Sequence, residues 1–120
     1  MPAAIRTIQA TINRNPPGGK MKLVALYKKP DDPAAFDEAY FNQHLPLIGT
    51  VPGLQKTVIT RFTRSLVGED FYLMAEMYFV DESALKTAMK SPEMAAAGEN
   101  LNTFASGLVM MLFGTEQKME

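Results

Sequence analysis

Two segments of this chain are apolar at nearly every position, and they limit the folds it can adopt. Side chains of a β-strand point alternately to the two faces of its sheet. Residues 71–80 alternate between an apolar set on one face and a mostly apolar set on the other, the sets being Phe71, Leu73, Ala75, Met77, Phe79 and Tyr72, Met74, Glu76, Tyr78. Residues 107–114 repeat this two-sided pattern. Because a sheet face that meets water is mostly polar, we expect a sheet that is covered on both faces.

The order of the predicted elements indicates what covers the first face. Strands are predicted at residues 21–28, 54–64, 71–80 and 107–114. One helix follows the first strand, and a helix capped by Asp81 with a second piece starting at Ser91-Pro92 follows the third. This order predicts an α+β domain of the ferredoxin-like βαββαβ type, a four-stranded antiparallel sheet with its helices on one face. The other face predicts a homodimer in which two sheets pack into a barrel, a dimeric α+β barrel.

The first predicted helix, residues 33–44, carries the only histidine of the chain. Asp32 is a suitable N-cap, and Pro33 fits the first helical position. Phe36, Tyr40 and His44 follow one another at intervals of four and share a face. Pro46 disfavours helical geometry at the residue before it, so we expect the helix to end near His44.

Composition excludes several classes of function. The net charge is −1, with acidic and basic residues interleaved, so no footprint for nucleic acid is expected. The chain has no cysteine and one histidine, so neither a Cys-based metal site nor a multi-His site within one subunit is expected. No apolar run approaches the roughly 20 residues that span a bilayer, and the N-terminus lacks the apolar core of a signal peptide. We therefore expect a cytoplasmic protein with no membrane partner.

Three regions are expected along the chain. Residues 1–20 form an N-terminal arm with a short alternating stretch at Ile8, Ala10 and Ile12, followed by the structure-breaking Pro16-Pro17-Gly18-Gly19. The sequence leaves open whether the arm packs on the domain, packs on a partner or is disordered. Residues 21–115 form the domain, and residues 116–120 form a polar tail.

Several short patterns, in order, resemble the EthD family. They are His44-Leu45-Pro46-Leu47 followed by Pro52-Gly53-Leu54, then Ala75-Glu76-Met77-Tyr78-Phe79, Ser91-Pro92-Glu93, Phe104-Ala105 and the terminal Leu112-Phe113-Gly114. Members of that family are dimeric α+β barrels, similar in fold to cofactor-independent monooxygenases and muconolactone isomerases. The family is named for ethyl tert-butyl ether degradation beside a cytochrome P450 system and is often labelled oxidoreductase. The resemblance thus implies an oxidoreductase of xenobiotic degradation. The chain departs from the family pattern at Asn100, where relatives usually carry Asp; an amide can hydrogen-bond but cannot act as a base.

His44 is the candidate catalytic residue, because an imidazole titrates near neutral pH and can serve as general acid or base. The alternative is a helix-terminal histidine bonded to nearby carbonyls. Further candidates for substrate binding are the aromatic and acidic residues that could line a cleft between helix and sheet, Tyr40, Phe41, Tyr72, Glu76 and Tyr78. For the aromatic residues the alternative is ordinary core packing. For the carboxylate of Glu76 the alternatives are a structural pair with Arg61 or Arg64, or exposure at the rim of the sheet.

Two functions remain open from the sequence. The first is a small catabolic enzyme in which His44 moves a proton on an apolar, oxygen-bearing small molecule, in oxidation, isomerisation or dehydration without a bound cofactor. Haem is not required by any residue pattern, and no metal is expected. The alternative is a non-catalytic dimeric binding module that holds a hydrophobic molecule or delivers it to a partner such as a P450 system. The methionine-rich strands favour that alternative.

Overall fold

The structure is a computed structural model that describes residues 20–117. The predicted arm, apart from Lys20, lies outside the described residues, as does the end of the predicted tail. The described part is built on four strands, β1 (Met21–Lys28), β2 (Lys56–Arg61), β3 (Phe71–Phe79) and β4 (Val109–Thr115). They form one sheet in the order β2-β3-β1-β4, and every neighbouring pair is antiparallel. The predicted ferredoxin-like α+β fold is confirmed, with β2 six residues long where eleven residues, 54–64, were predicted.

The helical layer consists of α1 (Pro33–Ala39), a π-helical segment (Tyr40–His44), α2 (Leu45–Ile48), α3 (Glu82–Met89) and α4 (Pro92–Phe104). The predicted caps are present. The Asp32 carboxylate accepts the N–H of Ala35 at 3.1 Å, and the Ser91 hydroxyl accepts the N–H of Met94 at 3.1 Å. Asp81 caps α3 in the same way. The oxygens of these side chains accept hydrogen bonds from backbone N–H groups that have no partner within the helix.

The expectation that the first helix ends near His44 is wrong. The chain passes through a π-helical turn, in which the N–H of Leu45 reaches back five residues to the carbonyl of Tyr40, and then continues to Ile48. In a regular α-helix the ring of Pro46 would press on the carbonyl of Asn42, and its missing N–H would leave a bond unmade. A wider turn at this point accommodates the proline without ending the helix.

The helix-covered face of the sheet holds the core. Its fully buried large side chains are Tyr27, Tyr40, Phe79, Leu23 and Leu73. Phe36 links the two layers, since its ring lies 5.4 to 5.6 Å from the rings of Tyr27, Tyr40, Tyr72 and Phe104. This aromatic cluster fixes the first helix against the sheet.

The other face, here called the open face, carries no helix among the described residues. Its centre is apolar, with Val24, Leu26 and Met74 half-buried and Met110 and Leu112 exposed. The register places these residues side by side, since Leu26 pairs with both Met74 and Met110. The two-sided apolar pattern of the sequence therefore corresponds to one face that the helices cover, apart from the exposed Met111 and Phe113 of β4, and one face with apolar side chains open to solvent.

Candidate functional site

His44 lies at the end of the π-helical segment, with its side chain turned into the core. The residue is 4% exposed, and its ring lies 5.5 Å from the Tyr40 ring and 6.0 Å from the Phe104 ring. Phe36, Tyr40 and His44, which were predicted to share one face of the helix, are all buried. The four-residue spacing thus places the imidazole in line with the rings of Phe36 and Tyr40, on the side of the helix that faces the sheet.

Asn100 of α4 fixes the imidazole. The Asn100 side-chain oxygen lies 3.2 Å from Nδ1 of His44, and its amide nitrogen donates to the side-chain oxygen of Gln43 at 3.4 Å. With its amide donating to Gln43, Asn100 presents an acceptor to the imidazole, so Nδ1 carries the proton and donates it. Nε2 then holds a lone pair. Burial lowers the pKa of His44 below its ordinary value, and the hydrogen bond to Asn100 opposes that shift. A neutral imidazole at pH 7 with a free Nε2 lone pair is the form that a general base requires.

A small cavity of about 20 Å³ lies beside His44, between the helical layer and the sheet. Its lining residues come from both layers: Ala25, Tyr27, Tyr40, His44, Leu45, Ile48, Thr57, Ala75 and Met77. Ala25 of β1 and Ala75 of β3 are partners in the sheet, while the adjacent positions on the same face hold larger side chains. The cavity therefore exists because two methyl groups face each other where larger side chains would fill the space.

Two tyrosines line this cavity. Their rings pack edge to face at 5.3 Å. Burial raises the pKa of Tyr40 to about 12, and a hydrogen bond from Tyr27 opposes this shift. Burial, followed by the charge of Tyr40 and the same hydrogen bond, raises the pKa of Tyr27 as well. Both phenols are therefore neutral at pH 7, and Tyr40, which accepts from Tyr27, keeps its own proton to donate. Such a donor can hold an oxygen atom or stabilise negative charge that develops on one.

Among the lining residues, only Leu45 and Thr57 are partly exposed; the others are buried. Leu45 belongs to α2, and Thr57 belongs to β2, an edge strand of the sheet. These two residues border the most accessible side of the cavity, between α2 and β2, and we call this place the mouth.

Phe41 and Tyr72 lie on the helix side but do not line the cavity. Phe41 is partly exposed, and the guanidinium of Arg61 on β2 lies 5.7 Å from its ring centroid. Tyr72 donates to Asp37 of α1 at 2.8 Å and packs on Phe36. The expectation that Tyr72 shares a face with Glu76 and Tyr78 is wrong. A register shift between β1 and β3 at Tyr27 and Lys28 inserts an extra residue there and turns Tyr72 toward the helices.

Glu76 and Tyr78 lie on the open face, away from His44. Glu76 accepts a charged hydrogen bond from Nζ of Lys22 at 2.7 Å, rather than from Arg61 or Arg64 as considered from the sequence. Arg61 instead contacts Asp37 at 3.3 Å. Tyr78 donates to Glu116 at 3.3 Å. The expected cleft containing His44, Glu76 and Tyr78 together is therefore wrong within one subunit, because β3 sends alternate side chains to opposite faces.

The residues that the sequence did not single out are Ala25, Tyr27, Thr57 and Ala75. Tyr27 could have been predicted from the sequence, because it is the aromatic residue among the alternate apolar positions of β1. Ala25 and Ala75 could not, because their effect depends on the pairing of two positions that are 50 residues apart in the sequence.

Within residues 20–117, no three His, Asp or Glu side chains are grouped so that they could hold a metal ion. In the same part of the chain, no helix combines the length and the apolar character needed to cross a membrane.

The fold and the site define an α+β protein of ferredoxin-like topology with a buried histidine between helix and sheet. The family model of the EthD domain matches residues 28–107. The chain belongs to the EthD domain family.

Two relatives resemble most of the chain. An EthD family protein of known structure from Bacillus halodurans is 44% identical, with a TM-score of 0.78, over 82% of this chain and 99% of that one. An uncharacterized 11.0 kDa protein from the thcB-thcC intergenic region of Rhodococcus erythropolis is 36% identical over 80% of this chain and 94% of its own length.

More distant structures share the fold alone. A cofactor-independent oxygenase from Streptomyces nogalater is 16% identical, with a TM-score of 0.62, over 83% of this chain and 95% of that one. A dimeric protein of unknown function and ferredoxin-like fold from Bacteroides fragilis is 17% identical, with a TM-score of 0.59, over 82% of this chain and 97% of that one.

Proposed function

We propose that this protein is an enzyme in which His44 removes a proton from a small, largely apolar molecule that carries an oxygen function. The observation that carries the proposal is the neutral, buried imidazole held by Asn100 beside a cavity that two neutral phenols also line. Loss of a proton from the carbon next to a carbonyl, or from the hydroxyl of a phenol, leaves negative charge on the oxygen, which hydrogen bonding from the neutral phenol of Tyr40 can stabilise.

The substrate binds at the mouth. The cavity itself is far smaller than the roughly 300 to 1,000 Å³ of a ligand pocket, so only a small part of a substrate can enter it. Leu45 and Thr57 border the opening, and Met77 behind them is flexible enough to shift when a ligand arrives. Phe41, on the same helical segment, would contact the outer part of the substrate.

Loss of the proton leaves the substrate as a carbanion or a phenolate, and the next step of this intermediate determines the class of reaction. Reprotonation at another carbon gives isomerisation, loss of a hydroxyl gives dehydration, and reaction with dioxygen gives oxygenation without a bound cofactor. The likeness in fold to a cofactor-independent oxygenase makes the last of these a natural candidate.

The test follows proton abstraction rather than one product. The full chain is incubated in D₂O with small enolisable ketones and lactones, carbon-bound deuterium is measured by mass spectrometry, and oxygen uptake is recorded in parallel with these compounds and with phenols. His44→Gln should lower the rate of incorporation about 10²- to 10⁴-fold, the usual contribution of a general base.

Asn42→Gln is the matched control, because Asn42 is an exposed residue of the same π-helical segment. Among the described residues its side chain hydrogen-bonds only to Glu38. It should leave the rate within about twofold. If His44→Gln exchanges deuterium as fast as the wild type, His44 is not the base.

A non-catalytic binding module remains the rival function. It predicts saturable binding of an apolar molecule with neither deuterium incorporation nor oxygen uptake in the wild type. Incorporation that depends on His44 would exclude it.

We also propose that the chain forms a homodimer through the open face. The supporting observations are the apolar centre of that face, with Leu26 between Met74 and Met110, and the dimeric state of a protein that shares the fold. Leu26→Asp should convert the dimer to a monomer in light scattering coupled to size-exclusion chromatography. Leu66→Asp, the same change at a side chain that is 98% exposed, should not, and equal behaviour of the two variants would contradict this interface.

A further inference from the structure

The cavity beside His44 has room for one water molecule or for a substrate group of similar size. About 20 Å³ is available in it, and roughly 10 to 15 Å³ suffices to hold one water. Four of its nine lining residues carry polar side chains, namely Tyr27, Tyr40, His44 and Thr57. Buried waters usually need two to four polar partners, so the cavity offers both the room and the partners.

Because His44 is buried, a substrate outside the cavity has limited access to its imidazole. His44 is 4% exposed, and the partly exposed residues of the cavity are Leu45 and Thr57. A general base must lie within about 2.6 to 3.2 Å of the proton that it removes, or reach it through one water. For a substrate that stays at the mouth, the second condition is the one that a buried imidazole can meet.

We propose that the cavity formed by Ala25 and Ala75 binds a single water, and that this water carries the proton from a substrate at the mouth to Nε2 of His44. The water accepts the substrate proton while it gives one of its own to Nε2, so the substrate loses one proton, His44 gains one and the water is restored. No oxidant or further reactant is needed for this step. The inference rests on the proposed function and names the route by which the same site works.

Two features of the site support this route. Nδ1 is engaged by Asn100 at 3.2 Å, so Nε2 is the nitrogen that remains available for the cavity. The neutral hydroxyl of Tyr40 can donate to one lone pair of the water and orient it, while the second lone pair stays free for the substrate proton and a proton of the water stays free for Nε2.

The experiment detects the water and then removes its space. Because the chain has a single histidine, the Cε1–H proton of His44 gives one resolved NMR signal. Cross-relaxation between this proton and solvent water, measured on the full chain, should be present in the wild type. Ala75→Val fills the cavity, and it should abolish the cross-relaxation and slow deuterium incorporation by about tenfold or more.

Ala25→Val fills the same cavity from the opposite strand and replaces Ala75→Val if that variant does not fold. Ala88→Val is the matched control, because Ala88 is equally buried in α3 but does not line the cavity. It should keep both the water signal and the rate.

The outcomes separate the two proposals. A wild type without water cross-relaxation, or an Ala75→Val variant that loses the water but keeps its rate, overturns the water relay and leaves His44 as a direct base. A His44→Gln variant with full deuterium incorporation overturns the proposed function itself.

Discussion

Replacing Asn100 with Asp tests whether this residue controls the protonation of His44. The substitution places a carboxylate where a neutral oxygen now lies 3.2 Å from Nδ1. At an effective dielectric constant of about 20, opposite unit charges at that distance attract by about 5 kcal/mol. Asn100 is half-buried, and a neighbouring carboxylate typically contributes less, about 1.4 to 4 kcal/mol. We therefore expect the midpoint of the imidazole titration to rise by about one to three pH units.

The midpoint is measured from the chemical shift of the Cε1–H proton of the single histidine across a pH series. Asn102→Asp is the matched control, because it adds the same charge to the same helix at an exposed position two residues further on. It should move the midpoint by only a few tenths of a pH unit, since exposed charges are screened. Equal shifts in the two variants would show that the contact between Asn100 and His44 does not govern the titration.

The substitution also has a consequence for activity. If the imidazole of Asn100→Asp is protonated at pH 7, it cannot accept a proton there, so deuterium incorporation should fall at pH 7 and recover as the pH is raised. A carboxylate at this position is thus expected to shift the working range of the site toward alkaline pH.

Three further predictions concern stability. Phe36→Ala should lower the free energy of unfolding by about 3 to 5 kcal/mol in urea denaturation, because the ring contacts four other aromatic rings in the core; a loss below about 1 kcal/mol would mean that the cluster rearranges freely. Asp32→Ala should cost about 1 kcal/mol through the lost cap of α1, whereas Asp31→Ala should cost almost nothing, and equal losses would exclude capping as the cause. The pKa of His44 is lower in the folded chain than its ordinary value of 6.5, so the unfolded chain binds more protons between the two values. The free energy of unfolding should therefore fall as the pH drops through 6.5, by at most about 1.4 kcal/mol per pH unit, and a His44→Gln variant with an unchanged slope would contradict this.

Local signals in the sequence were sufficient for the order of elements and for the helix caps. Asp32, Asp81 and Ser91 act on N–H groups three residues away, so their effect does not depend on the rest of the fold. His44 was identifiable for a similar reason, since its burial follows from its spacing with Phe36 and Tyr40.

Features that depend on strand pairing were not predictable from the sequence. Strict alternation of side chains along β3 predicts that Tyr72 and Glu76 lie on the same face of the sheet. A register shift of one residue instead turns Tyr72 toward the helices. Glu76 pairs with Lys22 because β3 lies between β1 and β2, and the sequence does not say which neighbour offers the cation. The cavity depends on Ala25 meeting Ala75 across two strands, which no local pattern encodes.

The π-helical segment determines which side chains face the sheet along the whole first helical region, from Phe36 to Ile48. The buried residues Phe36, Tyr40, His44 and Ile48 are spaced by four throughout. In a regular α-helix of 3.6 residues per turn, twelve residues from Phe36 to Ile48 would leave the two side chains about 120° apart. The wide turn absorbs this rotation, so both ends of the helix face the same sheet. Deleting one residue between Tyr40 and His44 would leave Phe36 and Ile48 eleven positions apart, which on a regular α-helix is a separation of only about 20°. The π-helical segment therefore carries one extra residue, next to His44, without changing which side of the helix faces the sheet.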